Sequence, residues 1–301
     1  MKILFWQCDK TDKDACKWVY KEAKEQGYDV EMAGYRGRPR EFLAKLDEYK
    51  PDWVFSYVVH PTSIPIYQII KSKGVKLAVS YHDQVCEPRK DLFRRMTGCF
   101  DLAIFSIKDA LNAYGDCAKQ CHFLPQYFAQ NFCELKWKRL DQTKPIYDIV
   151  VLSFILDSLR RSYIRHLESK YKVLYASNLI GSDMTEAYAQ AKIAVGLPRD
   201  GFTGLPGEYV TSNRIYNAMG SGAFYLSHNI NNVELFFEPK VHMDMVKDDT
   251  FEEFDEKIQY YLENENERER IAYTGQQEIL KNHTLKTRVR EYISLLENFK
   301  E

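Results

Sequence analysis

The sequence predicts an α/β protein with two doubly wound, Rossmann-like domains that face each other across a cleft, followed by C-terminal helices. Three observations support this prediction. The 301 residues suffice for two domains of ordinary size. Short apolar segments alternate with amphipathic segments over residues 1–125, and the same alternation starts again at residue 148. Apolar strands that alternate with helices are typical of parallel sheets whose two faces are both covered by helices.

The first predicted domain spans residues 1–140. Its first strand is the apolar segment ILFWQ, and its first helix ends at Gly27. The predicted strands of this domain are 3–7, 28–34, 52–59, 75–81 and 101–106, and the predicted helices are 14–27, 42–50, 64–74 and 107–115. The segment FLP at 123–125 is predicted to end this unit. A linker is expected at about 130–147, because that stretch shows no apolar period.

The second predicted domain spans residues 148–301 and repeats the alternation. Its predicted strands are 148–154, 172–177, 193–198 and 223–228, and its predicted helices are 160–171, 184–192, a helix that starts near Asn213, 233–239, and a helical tail from about 250. In doubly wound sheets, ligands bind outside the carboxyl ends of the strands. We therefore expect a ligand at that edge of the sheet.

Composition predicts a cytoplasmic protein without a membrane span, a metal or a bound cofactor. No apolar run approaches the length of a transmembrane helix, and the N-terminal segment is too short for a signal peptide. All seven cysteines lie in the first half, and an odd number without a secretion signal indicates free thiols. Cys117, Cys121 and His122 resemble a zinc cluster, but no fourth ligand is evident. The pair of carboxylates in Asp12-Lys13-Asp14 precedes the first helix and is interpreted as N-capping.

The segment TSNRIYNAMGSGAF, residues 211–224, has the features of an anion-binding helix start. Small polar residues precede it, and the free N–H groups at a helix N-terminus favour phosphate. Arg214 can bind phosphate bidentately, and Asn217, three residues later on the same face, can bond a sugar hydroxyl. Gly220 and Gly222 permit a tight turn and a close approach. The sequence is equally compatible with a purely structural role, in which Arg214 is a solvated surface arginine and Asn217 a polar residue at a helix end.

A family resemblance favours the first of these interpretations. The segment SNRIYNAMGSGAFYLS resembles the nucleotide-sugar helix of GT-B glycosyltransferases, and especially of the spore-maturation (spore coat) type. Further residues carry the resemblance downstream and, more loosely, in the first half: Glu234, Phe236, YYL at 260–262, Arg268, Arg270, Ile271, Ala272, Gly275, His283, Thr284, Arg288, SYHDQ at 80–84, FDLAIFS at 100–106 and HFLPQYF at 122–128. The resemblance implies transfer of a sugar from a nucleotide-sugar donor, expected to be UDP-linked, to an acceptor hydroxyl.

The resemblance also implies a donor site on the second domain. The residues expected there are Arg160, Arg161, Ser212, Asn213, Arg214 and Asn217. Two positions depart from the family pattern. Relatives usually carry a glutamate where Asn217 stands and a glycine where Leu156 stands, so a changed donor preference, or nucleotide-sugar binding without turnover, also fits the sequence. An epimerase that acts on a nucleotide sugar is a further alternative.

Three residues are expected to act in catalysis. Glu208 lies in the loop GLPGEYVTS, where related retaining enzymes place an acidic residue against the donor sugar. An inverting enzyme needs a group that deprotonates the acceptor hydroxyl, and His60 or Asp83 would supply it. Each of the three also fits a structural role, as a surface glutamate, a capping or core histidine, or a loop cap.

The acceptor is expected to contact the first domain and to be anionic, such as a hydroxymethylated DNA base or a phosphate-rich polymer. Residues 1–140 contain 23 Lys and Arg against 18 Asp and Glu, whereas residues 141–301 contain 19 and 25. Arg36, Arg38 and Arg40 stand in a Gly- and Pro-containing stretch that is predicted to stay extended and exposed, which suits phosphate contacts. A surface saccharide or a protein remains an alternative acceptor, and the oligomeric state is left open.

Overall fold

The computed structural model describes residues 1–7, 15–57, 59–82, 95–96, 98–129, 145–153, 157–198, 213–230 and 233–300. The chain divides into two compact units, of which the first combines Met1–Pro125 with Leu285–Glu301, and the second is Gln126–Thr284. Each unit contains one parallel sheet with helices. The predicted α/β class with two parallel-sheet domains and C-terminal helices is therefore confirmed. None of the helices in the described ranges combines the length and the apolar character that crossing a membrane requires.

The sheet of the first unit has the strand order β2-β1-β3-β4-β5-β6. Its strands are β1 (Ile3–Gln7), β2 (Val30–Tyr35), β3 (Trp53–Ser56), β4 (Lys76–Tyr81), β5 (Phe100–Phe105) and β6 (Ala118–Phe123). Its helices are α1 (Ala15–Glu25), α2 (Pro39–Tyr49), α3 (Ile64–Ser72), α4 (Lys108–Tyr114) and α10 (Leu285–Glu297). All residues of β3 and β5 are buried, as expected for central strands that are covered on both faces.

The strand β6 was missed by the sequence analysis, which ended the unit at 123–125. Its sequence AKQCHF is polar at several positions, and its residues are partly exposed because it forms an edge of the sheet. An edge strand therefore lacks the continuous apolar run that identifies a central one. Cys121 and His122 are neighbours in β6, so their side chains point to opposite faces of the sheet. Among the described residues, no group of three His, Cys, Asp or Glu side chains is placed to hold a metal.

The last helix, α10, packs in the first unit, whereas the sequence analysis placed the whole helical tail in the second domain. Tyr292 on α10 lies against Phe55 of β3, with ring centroids 5.3 Å apart. Phe299, just beyond α10, meets Trp53 edge-on at 5.1 Å. The helical period indicates that one face of α10 is buried, but it does not indicate which sheet covers that face.

The sheet of the second unit has the strand order β11-β10-β9-β7-β8. Its strands are β7 (Tyr147–Leu152), β8 (Val173–Ala176), β9 (Ala191–Gly196), β10 (Phe224–Ser227) and β11 (Asp244–Met245). Its helices are α5 (Ser158–Glu168), α6 (Gly181–Ala189), α7 (Asn213–Gly220), α8 (Phe251–Glu263) and α9 (Glu265–Asn282). The predicted helix 233–239 is only a 3₁₀ turn at Val233–Leu235, and the two-residue strand β11 was not predicted.

The order of the second sheet has a topological switch point between β7 and β9. The chain passes from β7 to β8 on one side and then crosses to β9 on the other side of β7. Because loops leave such neighbouring strands in opposite directions, a crevice opens at their carboxyl ends, and ligands of doubly wound sheets bind there. The side chains that surround the ends of β7, β9 and β10 are therefore the first place to look for a binding site.

Candidate functional site at the carboxyl edge of the second sheet

Arg160 joins the ends of β7 and β9. It lies in the first turn of α5, whose N-cap Asp157 accepts a hydrogen bond from the Arg160 backbone N–H at 2.9 Å. Its side chain is only 5% exposed. Nη1 donates to Ser153 Oγ at 3.0 Å, just after β7, and Nε donates to the Pro198 carbonyl at 3.1 Å, just after β9. The buried guanidinium thus sits at the switch point and holds both strand ends.

Arg161 occupies a different environment, although the sequence analysis treated the two arginines as a pair. Successive side chains on a helix point about 100° apart. Arg160 therefore turns towards the sheet, and Arg161 is exposed on α5. The structure brings Arg160, and not Arg161, to the ends of β7 and β9.

Arg214 approaches the same edge from the first turn of α7. The helix begins at Asn213, as predicted, and both Asn213 and Arg214 are half-buried. The positive charges of Arg214 and Arg160 act together on two side chains of β10 and its end, Tyr225 and His228. The two arginines are thus close enough to influence the same groups. Ser212, which was expected at the start of this helix, lies outside the described residues.

The end of β10 adds a buried polar cluster that the sequence analysis did not identify. Tyr225 is buried next to Ser227, and burial raises the pKa of its hydroxyl, against the opposing effects of Arg214, Ser227 and Arg160. A Cβ atom at Gly196 of β9 would collide with the Tyr225 hydroxyl, so any other residue at that position would displace the Tyr225 side chain. The strand pattern AFYLSH conceals this cluster, because its tyrosine and serine stand within a mainly apolar run.

His228 directly follows β10 and is 8% exposed. Its backbone N–H donates to the Gly196 carbonyl at 2.8 Å. Burial, followed by the charges of Arg214 and Arg160, lowers the pKa of His228 to about 3. The imidazole is therefore neutral near pH 7. A histidine placed immediately after a buried strand of a doubly wound sheet is the signal by which sequence reasoning would have found it.

Asn217 is 3% exposed on α7. Its Oδ1 accepts a hydrogen bond from the backbone N–H of Ala129 at 3.1 Å. One residue before Ala129, the Phe128 N–H donates to the carbonyl of His283 at 2.7 Å. The side-chain oxygen of Asn217 thus helps to seat the segment 126–129 beneath α7. Its predicted contact with a ribose stays a prediction.

The predicted catalytic residues are only partly within the described structure. Asp83 and Glu208 lie outside the described residues, as does Leu156. His60 lies in the first unit, where its Nδ1 accepts from the Thr62 N–H at 3.3 Å and caps the 3₁₀ turn Pro61–Ser63. Its Nδ1 is also 2.7 Å from Thr62 Oγ1. This is the capping arrangement that the sequence analysis named as the alternative to catalysis.

A polar cluster lies at the carboxyl end of β4 in the first sheet. His82 follows β4, and its Nε2 lies 2.8 Å from Ser80 Oγ. Its ring stacks on Tyr57 with centroids 4.9 Å apart. Ser80 Oγ also donates a hydrogen bond to the hydroxyl of Tyr292 on α10 at 3.4 Å. Tyr292 belongs to this cluster only because α10 folds with the first unit.

The arginine triplet of the first unit does not stay extended, contrary to the sequence analysis. Pro39 begins α2, so Arg40 lies in the first helical turn and Arg38 is its N-cap residue. Proline is favoured at this position because its fixed φ suits the helix and its missing N–H is not needed there. Arg36, Arg38 and Arg40 are all exposed, and Arg38 pairs with Glu41 at 2.8 Å.

The architecture of two parallel sheets with helices matches the GT-B-type α/β fold of solved glycosyltransferases. Its structure resembles a glycosyltransferase from Rickettsia africae, with a TM-score of 0.71, 10% identity, and 99% of this chain and 98% of that chain covered. It also resembles a sucrose-phosphate synthase from Thermosynechococcus elongatus, with a TM-score of 0.68, 12% identity, and coverage of 99% and 98%. It further resembles the Anabaena protein HepE, which was solved in complex with UDP-glucose. The TM-score is 0.61 and the identity is 14%, with 98% of this chain and 99% of that chain covered.

The sequence comparison finds a match to a family model over part of the chain. Residues 152–294 match the family described as glycosyl transferase-like. Among curated proteins, none matches the sequence significantly. The matched range begins at the end of β7 and includes Arg160, Arg214, Asn217 and His228. The resemblance to glycosyltransferases that the sequence analysis drew is thus confirmed at the level of the GT-B-like group, and the spore-maturation subtype stays a prediction.

Proposed function

We propose that the protein transfers a sugar from a UDP-linked nucleotide sugar to an acceptor hydroxyl without a divalent metal. The observation that carries this proposal is the convergence of Arg160 and Arg214 at the carboxyl edge of the second sheet. This edge is where doubly wound sheets bind ligands. Glycosyltransferases share the fold, and Anabaena HepE holds UDP-glucose within a chain of the same architecture.

The chemistry requires stabilisation of the diphosphate that leaves the donor sugar. Arg214 stands in the first turn of α7, where free N–H groups and the helix dipole add partial positive charge. Arg160 is held rigidly by Ser153 and the Pro198 carbonyl, so its charge needs no reorganisation as negative charge develops. We infer that these two residues carry the charge stabilisation, with the backbone at Ser212 and Asn213 completing the phosphate contacts.

The remaining predicted residues have supporting roles in this proposal. Asn217 contributes to the position of the donor ribose, and Arg161 supplies a peripheral positive charge. For Glu208 we propose a role at the donor sugar, and for His60 or Asp83 that of accepting the proton of the acceptor hydroxyl if the reaction inverts configuration. The donor is a co-substrate, and no further cofactor is proposed.

Nucleotide binding tests the donor site directly. We expect UDP, among UDP, GDP, ADP, CMP and TDP, to raise the melting temperature by mass action, and we expect Arg214→Ala to abolish the shift. The matched control is Arg165→Ala, which removes an exposed arginine from the last turn of α5. Absence of a shift with every nucleotide, or a shift that Arg165→Ala removes equally, would contradict the proposed donor site.

For the acceptor we propose an anionic polymer, such as DNA that carries a hydroxymethylated base. Support comes from the excess of positive charge in residues 1–140 and from the exposure of Arg36, Arg38 and Arg40. A target base inside a duplex would have to leave the stack to reach the donor. A surface saccharide and a protein are the alternative acceptors.

The acceptor proposal is tested by binding of hydroxymethylated DNA at several salt concentrations. Replacing Arg36, Arg38 and Arg40 by alanine should weaken binding and reduce its salt dependence, because fewer counterions are released, while UDP binding is spared. Arg270→Ala, which removes an exposed arginine of the second unit, serves as the control. An unchanged salt dependence would contradict a role for the triplet.

The environment of Asn217 favours a second candidate function, a nucleotide-sugar-binding module without turnover. The Asn217 oxygen is occupied by the Ala129 N–H, and an amide at this position lacks the charge of the glutamate in relatives. Measurement of UDP released from UDP-sugars in the presence of acceptors separates the two functions. Binding with no release for any acceptor would favour the module.

A further inference from the structure

His228 has a defined tautomer in the described structure. Its Nδ1 lies 3.3 Å from the Gly196 carbonyl oxygen and 3.5 Å from Ser227 Oγ. A carbonyl oxygen can only accept a hydrogen bond, so the ring nitrogen that faces it carries the proton. The neutral imidazole therefore has Nδ1–H, and its Nε2 is in the acceptor state.

His228 and Arg160 bind successive carbonyl groups at the end of β9. The imidazole contacts the Gly196 carbonyl, and the guanidinium of Arg160 contacts the next two, those of Leu197 at 3.5 Å and Pro198 at 3.1 Å. The two side chains thus reach the same strand end from β10 and from α5. The imidazole is a buried part of the edge at which the donor site is proposed.

The charged and titratable groups around His228 come from four directions. Arg214 approaches from α7, Arg160 from α5, and Tyr225 from β10 itself. Asp249, from the segment before α8, accepts a hydrogen bond from the N–H of the adjacent Asn229 at 2.6 Å. Two cations act on the imidazole, and together with burial they oppose its protonation.

An anion that binds next to Arg160 and Arg214 favours protonation of His228. Each negative charge of a diphosphate cancels part of the repulsion that the arginines exert on an imidazolium. Binding of the anion and binding of a proton then favour each other, and this coupling is reciprocal. A protonated His228 would donate through both ring nitrogens.

We propose that His228 is a further binding residue of this site, which takes up one proton from solvent when a nucleotide diphosphate binds beside Arg160 and Arg214. The proton adds to Nε2, and no other bond changes. The inference rests on the proposed donor-binding function, and it adds a residue that makes donor binding depend on pH.

Isothermal titration calorimetry with UDP-glucose tests the inference. UDP-glucose is a suitable probe because its diphosphate is doubly esterified and does not titrate between pH 5.5 and 7, unlike that of UDP. Titrations at each pH in two buffers with different ionisation enthalpies give the number of protons taken up. For the wild-type protein we expect proton uptake that increases as the pH falls, and a higher affinity at pH 5.5 than at pH 7.

The diagnostic variant is His228→Asn, which keeps a donor for the Gly196 carbonyl but does not titrate. It should bind UDP-glucose with no proton uptake and with little dependence on pH. The matched control, His166→Asn, removes a histidine that pairs with Asp255 at 2.8 Å in the same unit, and it should behave like the wild type. A structural role of His228 alone would lower stability in the variant without removing proton uptake.

The outcomes separate the two proposals. If the wild type binds UDP-glucose without proton uptake, or if His228→Asn takes up as many protons as the wild type, the inference about His228 is overturned while donor binding stands. If UDP-glucose does not bind at all, both fail. If His228→Asn does not fold, NMR of the wild-type histidine side chains at pH 5.5 decides. UDP-glucose should convert one neutral imidazole to the protonated form, and no conversion would contradict the inference.

Discussion

At the scale of single residues, neighbouring identical side chains have different roles. Arg160 and Arg161 are adjacent in sequence, yet one is buried at the strand ends and the other is exposed on the helix. The helical rotation between successive residues accounts for the difference. A buried arginine is tolerated here because each of its three side-chain nitrogens donates a hydrogen bond, to Ser153 or to one of two carbonyl groups.

Arg160→Ala is therefore expected to destabilise the protein. The change removes the hydrogen bonds that the guanidinium donates to the Pro198 and Leu197 carbonyls, at a cost of about 2–4 kcal/mol in the free energy of unfolding. Urea unfolding measures this cost, and UDP affinity should fall in the same variant. Arg161→Ala is the adjacent control and should change stability by no more than about 0.5 kcal/mol. Equal effects of the two changes would contradict the assignment of different roles.

At the scale of elements, α7 is positioned by what packs beneath its end. Gly220 is the last residue of α7, and a Cβ atom there would collide with the ring of Phe128. Gly222 then adopts a φ of 79°, which the chain needs to turn back into β10. The sequence predicts a close approach and a tight turn at these glycines. The structure confirms both, and it identifies Phe128 as the group that approaches.

Gly220→Ala should be destabilising although alanine is the better helix former. Displacement of the buried Phe128 ring is expected to cost about 1–3 kcal/mol, which exceeds the roughly 1 kcal/mol that alanine gains in helix propensity. Thermal and urea unfolding measure the net effect. The double variant Gly220→Ala/Phe128→Leu should recover part of the loss, because leucine is smaller. No recovery would mean that Phe128 is not the source of the strain.

At the scale of the whole molecule, the chain returns to its first unit at the end. The α10 helix contributes Tyr292 to the core of that unit and to the polar cluster around Ser80. The C-terminal helix therefore contributes to the stability of the first unit. The predicted boundaries 1–140 and 148–301 followed the chain order, which cannot show such a return.

Tyr292→Ala should therefore weaken the first unit selectively. Removal of a buried aromatic ring typically costs about 3–5 kcal/mol. Hydrogen exchange should increase in β3, which Tyr292 contacts, and stay near the wild-type level in β9 of the second unit. Tyr273→Ala is the control, because Tyr273 is 63% exposed on α9. Faster exchange in β9 than in β3 would contradict the assignment of α10 to the first unit.

The sequence by itself determined the fold class. Strands that are buried on both faces consist of continuous apolar residues, and the helices between them carry apolar residues at the helical period. It also placed the start of α7 and Arg214, since helix-start chemistry is local. The tertiary structure alone decided the strand β6, the unit to which α10 belongs, the different environments of Arg160 and Arg161, and the place of His228. These features depend on which segments become neighbours in space, and contacts between residues distant in sequence leave no periodic signal along the chain.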